Sequence, residues 1–122
     1  MDQARIEIVR AYDALGSDAR PRFLVDRMWP RGVTKDTLRL AAWLRDVAPS
    51  TELRRWFGHD PARWEKFQAR YCAELDANPQ AWQPLIEAAE QGPIALLFGA
   101  RDREHNQAVV LRDYLMRKLA HR

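Results

Sequence analysis

The chain holds a single cysteine, Cys72, among 122 residues. No disulfide within it is therefore expected. No apolar run approaches the length needed to span a bilayer. The opening stretch, MDQARIEIVR, lacks the basic-then-apolar layout of a secretory signal. These absences favour the cytoplasm and give no reason to expect a membrane partner. Glycine is scarce, with five residues, and no glycine-rich phosphate loop occurs. A bound nucleotide would need another mode of capture. The three histidines, at positions 59, 105 and 121, form no local ligand motif with Cys72. No metal and no cofactor is expected. A triad of Ser50, His59 and Asp60 lacks any nucleophile-elbow signal, and Ser50 reads as a helix cap.

What is present is ordinary for one soluble domain. The composition is 47% hydrophobic and 30% charged, outside the range of disordered chains. The length suits a single core. The net charge is +3 and the pI about 9.4. That excess is spread along the chain. It permits a small anionic ligand and is weak support for nucleic acid, which needs a clustered basic face. Five tryptophans imply core or groove lining, because indoles bury large areas. Oligomeric state is not legible.

The stretch RFLVDRMWPRG, from Arg22 to Gly32, organises the rest. Arg22 to Asp26 reads as a buried strand that breaks into a loop of two arginines, a carboxylate and an indole. Before it, Ile6 to Tyr12 reads as a half-buried strand, followed by a loop with Gly16, Ser17 and Asp18 as turn residues. Thr34 caps a short turn. From Leu38 to Val47 the pattern is ambiguous between helix and alternating strand, and we read a short helical turn followed by an irregular extended segment.

Ser50 then caps a helix over Thr51 to Phe57, ended by Gly58. Asp60-Pro61 starts the next, with Trp64, Phe67, Gln68, Tyr71, Cys72 and Leu75 on its apolar stripe. Asn78-Pro79 starts a third, with Trp82, Leu85, Ile86 and Ala89, ended by Gly92-Pro93. The run IALLF, Ile94 to Phe98, has no polar break and reads as a central strand covered on both faces. Asp102 is expected to cap the last helix, with Ala108, Leu111, Leu115 and Leu119 buried; the tail, from Ala120 to Arg122, is expected to fray. No repeat or linker divides the chain. The expected fold is one compact α/β domain over residues 1–122, a small mostly parallel sheet flanked by helices.

Three blocks carry a resemblance to a known family: VDRMWPRG, APSTELRRWFGHDPARWEKFQARYCAEL and LLFGARDREHNQAVVL. Together they span most of the chain. They resemble the family called domain of unknown function 488, in its short YeaO-like branch. The resemblance implies a compact cytoplasmic bacterial α/β domain and implies no activity. Other branches look to carry cysteine and histidine around the third block. Here the matching stretch reads His105-Asn106-Gln107, so the resemblance gives no support for thiol chemistry or thiolate metal binding there.

Three constellations are candidates for a site. Arg27 and Arg31 offer forked donors to a phosphate or carboxylate, Trp29 a stacking wall and Asp26 an acceptor or base. The structural alternative pairs Asp26 with a neighbouring arginine and packs Trp29-Pro30 under a helix. His59 is a candidate general base, with Asp60 placed either to orient it or simply to cap. After the central strand, Asp102, His105 and Asn106 lie near a helix start, where free amides favour anions. If the strands ending at Asp26 and Gly99 are parallel neighbours, both groups open on one crevice. The expected function is binding of a small phosphorylated or carboxylated molecule, with Asp26, His59 and His105 as candidates for proton transfer if the protein is an enzyme. A non-enzymatic module for nucleic acid or a protein partner is the alternative.

Overall fold

The run Ile94–Phe98 forms a strand whose five residues are all buried. In the computed structural model, which describes residues 5–14 and 20–121, this strand lies inside a four-stranded parallel sheet. The elements are β1 (Ile6–Arg10), β2 (Arg22–Leu24), α1 (Lys35–Leu38), β3 (Ala42–Trp43), α2 (Thr51–Phe57), α3 (Trp64–Asp76), α4 (Pro79–Gln91), β4 (Ile94–Phe98) and α5 (Gln107–Ala120). The strand order is β1-β4-β2-β3. Each neighbouring pair is parallel, with Arg10 opposite Phe98, Leu24 opposite Leu97 and Leu24 opposite Trp43. The chain is an α/β domain, and no helix among the described residues is long and apolar enough to cross a membrane.

The two faces of the sheet are covered unequally. Side chains alternate along a strand, so Ile94, Leu96 and Phe98 join Phe23 and Val25 in a large core with the buried stripes of α2 to α5. Ala95, Leu97 and Leu24 face the other way. There they meet a smaller cluster with Leu38, Trp29 and Trp43. One face thus carries four helices, while the other is closed by α1 and loop.

Several boundaries differ from expectation. The first strand stops at Arg10, not Tyr12, because β4 offers no partner beyond Phe98. The chain then tightens into a 3-10 turn over Ala11–Asp13. Regular pairing of β2 ends at Leu24, although the Val25 N–H still donates to Leu97 O at 3.1 Å. The ambiguous stretch resolves into both patterns in succession: helix to Leu38, then β3, anchored by Ala41 N–H to Arg22 O and Leu44 N–H to Leu24 O. Asn78 precedes α4 but makes no side-chain cap; Pro79 at the first helical position suffices as a start. The turn residues Gly16, Ser17 and Asp18, and the terminal Arg122, lie outside the described residues.

Ser50 does cap α2, accepting from the Leu53 N–H at 3.1 Å. Its hydroxyl also donates to Glu74 of α3 at 2.6 Å, and its N–H donates to the other Glu74 oxygen at 2.8 Å. The residue therefore ties two helices together. Ser50→Ala removes the cap and one charge-assisted bond while keeping the backbone bond. A loss of about 1–2 kcal/mol is expected, read as a lower urea midpoint at unchanged slope.

Candidate functional site

The sheet register builds the site. Leu24 lies opposite Leu97, so two residues further on Asp26 and Gly99 emerge side by side at the carboxyl ends of β2 and β4. The Gly99 N–H donates to Asp26 Oδ2 at 2.8 Å. The approach is close enough that a Cβ at position 99 would lie 3.0 Å from that oxygen. The Gln107 side-chain amide, from the first residue of α5, donates to Asp26 Oδ1. Burial nevertheless dominates. It raises the Asp26 pKa from 3.8 to about 6, against the lowering effects of the Gly99 N–H, the Gln107 amide and the charge of Arg54.

Asp26 opens on a cavity of about 340 Å³ that reaches the loop before α5. The sequence-predicted Arg27, His59, His105 and Asn106 line it too, as do Arg54 and Arg55 of α2. The shared crevice therefore exists as a space: the segment after β2 and the start of α5 border the same hollow. Its floor includes Phe57 and Phe67, whose rings stack at 4.3 Å between centroids.

The cationic groups are weakly occupied by the protein itself. Arg27 Nη2 donates to the carbonyls of Ala48 and Pro49 over 3.4 and 3.5 Å, the long end of hydrogen bonding. Its Nε is buried without a partner. Arg27, Arg54 and Arg55 make no ion pair among the described residues. Asp26 does not bind its neighbour Arg27, as the structural alternative required; its oxygens go to Gly99 and Gln107 instead.

Two histidines reach the cavity by different routes. His59 follows Gly58 in left-handed backbone, with φ of 58 and 54 degrees respectively. Asp60 does not orient it: the carboxylate caps the turn at Pro61–Arg63 by accepting from the Ala62 N–H. The true Asp–His pair is Asp102 with His105, whose Nδ1 lies 3.0 Å from Asp102 Oδ2. The His105 ring meets Trp64 edge-on at 5.1 Å. With Nδ1 held by the carboxylate, Nε2 is the nitrogen left for other partners. Asp102 is not the cap of α5, which begins five residues later. It accepts from the N–H groups of Glu104 and His105. Those two bonds, and then the His105 ring, hold its carboxyl below the usual range. The cap is Asn106, whose Oδ1 accepts from Val109 N–H and whose amide donates to Asp102 O. Both ends of that side chain are spent on structure, so it has little left for an anion.

Trp29, Arg31 and Asp102 do not line the cavity. The loop crosses to the opposite face of the sheet after Met28. There Trp29 donates to Val33 O at 2.6 Å and packs edge-on against Trp43. Arg31 is exposed, and its carbonyl accepts from the Tyr12 hydroxyl. Sequence reasoning missed Arg54, Arg55 and Gln107. The only signal was that Leu53 and Phe57 point inward, which turns the intervening arginines outward. Cys72 is half-buried with Arg117 at 3.7 Å from its sulfur. Among the described residues, no group of three or more His, Cys, Asp or Glu is placed to hold a metal.

Residues 5–122 match the family described as "Inactive DUF488-N3 subclade". The chain is 38% identical over 110 residues to "Uncharacterized protein YeaO" of Escherichia coli K12, covering 90% of this chain and 96% of that protein. It is 45% identical over 113 residues to "Uncharacterized protein Rv3073c" of Mycobacterium tuberculosis H37Rv, covering 93% of this chain and 95% of that one. No solved structure matches significantly. On these matches, the chain belongs to the DUF488 family, in its YeaO-like part.

Proposed function

We propose that the protein captures a small phosphorylated or carboxylated molecule in the crevice at the ends of β2 and β4, as a binding module rather than as an enzyme. The observation that carries this is the convergence of Arg27, Arg54 and Arg55 on one concave space, with no carboxylate among the described residues bound to any of them. Guanidinium groups are forked donors suited to phosphate and carboxylate. Arginines that serve only structure are ordinarily consumed by acids or several carbonyls. A cavity of about 340 Å³ with an aromatic floor favours a small ligand over an extended nucleic-acid backbone. The family description, an inactive subclade, supports binding over catalysis.

The test is calorimetric titration with simple phosphates and carboxylates. Arg54 is exposed, so Arg54→Ala should leave the fold intact. It is expected to weaken phosphate-ester binding about tenfold, the worth of one charge-assisted hydrogen bond. Arg27→Ala should weaken it at least as much. If no member of the panel binds, or both variants bind like wild type, the reading fails.

A further inference from the structure

The cavity keeps its charges apart. Among the described residues, three arginines and one aspartate line it, and the aspartate pairs with none of the arginines. Opposite charges that share a small space ordinarily collapse into an ion pair. Here Asp26 is prevented from doing so by a rigid clamp of one backbone N–H on Oδ2 and one amide on Oδ1. Gly99 is part of that clamp, since any side chain there would press on Oδ2.

An ionised carboxylate has about four acceptor sites, and the clamp fills two. Asp26 is only half-buried and borders the cavity, so acceptor capacity remains on the open side. A plain anion extending from the arginines to this end would meet like charge. A ligand that presents a positively charged donor there would meet Asp26, the one negative group among the described residues that line the cavity. Phe57 and Phe67 line the same space, and their apolar rings suit a short hydrocarbon spacer.

We infer that the ligand is a small zwitterion, an aminoalkyl phosphate or carboxylate that sets its anionic group on Arg27, Arg54 and Arg55 and its ammonium on Asp26. The inference rests on the anion-binding reading above and adds the second pole.

The probes are O-phosphoethanolamine and ethyl phosphate, which share the phosphate and the two-carbon chain and differ in the ammonium. Near neutral pH, titration calorimetry of the wild type should give O-phosphoethanolamine an affinity about tenfold higher, from one charge-assisted bond. In Asp26→Asn the two affinities should become equal within about twofold, with ethyl phosphate bound no worse than by wild type. Equal affinities in the wild type would overturn the inference while leaving anion binding intact, and so would a preference that survives in Asp26→Asn. Failure of both probes to bind the wild type would remove the anion-binding reading and the inference with it. The wild-type comparison decides the matter even if the variant does not fold.

Discussion

Asp26→Asn is expected to be more stable than the wild type at neutral pH and no more stable in acid. The pKa of Asp26 rises from 3.8 to about 6 on folding because burial penalises its charge. The folded state therefore holds this proton more tightly than the unfolded state. Between those two values the folded protein binds more protons, so this group's contribution to stability falls as pH rises. Below about pH 4 the group is protonated in both states and costs nothing. Above about pH 6 the full cost is present, roughly 3 kcal/mol for the whole shift. An asparagine at position 26 avoids the charge and can keep one acceptor on the Gly99 N–H. Gln107 then needs only to turn its amide over and present oxygen. Imperfect replacement of the two bonds takes back part of the gain, leaving about 1–2 kcal/mol at neutral pH. Urea denaturation of both proteins across the acid range should give curves that cross between about pH 4 and pH 6, the variant lying below the wild type in acid and above it, at a plateau, beyond pH 6. Other carboxylates, Asp102 among them, shift the opposite way, so only the difference between the two proteins isolates Asp26. A variant less stable than wild type at neutral pH would make the carboxylate a structural tie, not a strained binding group. A residue that costs stability and whose replacement would abolish ligand discrimination shows the trade expected of a binding site.

Much of this arrangement could be read from the chain, and the rest has identifiable reasons. IALLF announced a central strand because both of its faces are covered, which leaves no room for polar alternation. Ser50, Gly58 and Asp60-Pro61 marked helix limits because capping is local chemistry. β3 stayed ambiguous because of its length: a strand of two residues paired through β2 sits in a stretch whose alternation is too short to outweigh the helical spacing beside it. Asp102 misled because an acidic residue before a helix looks like a cap whether it binds the first turn or, as here, a separate turn ahead of Asn106. Asp26, Arg27 and His105 were legible as site candidates from strand-end loops. Arg54 and Arg55 were not, since on sequence they are the solvated side of a short amphipathic helix. Only the tertiary placement of α2 beside the ends of β2 and β4 gives them a cavity to face. Trp29 illustrates the converse: a loop indole next to arginines looked like a ligand wall, but its N–H is satisfied by Val33 and its ring by Trp43.

Phe67→Ala is expected to be the most damaging single change within reach of the site, costing about 3–5 kcal/mol. Phe67 is 2% exposed, stacks on Phe57 at 4.3 Å and Trp64 at 5.8 Å, and packs at a tilt against Tyr71 at 5.9 Å. Truncation removes a large buried apolar surface and leaves a void, because helices fixed by Tyr71 to Val47 O and by Ser50 to Glu74 cannot close over it. The same ring is part of the cavity floor, so the void joins the binding space rather than forming a separate hole. That connection makes a distinction measurable. Phe67→Leu keeps most of the buried volume and should cost less, about 1–2 kcal/mol, while still flattening the floor. If the floor contacts the spacer of a bound ligand, Phe67→Leu should weaken O-phosphoethanolamine and ethyl phosphate by the same factor, leaving the preference between them untouched, since the preference belongs to Asp26 alone. Stability from urea denaturation and affinity from calorimetry would then move independently in the two variants. A loss below about 1 kcal/mol in Phe67→Ala would mean that this aromatic cluster is loosely packed and that the floor of the cavity is not the rigid surface on which the binding argument stands.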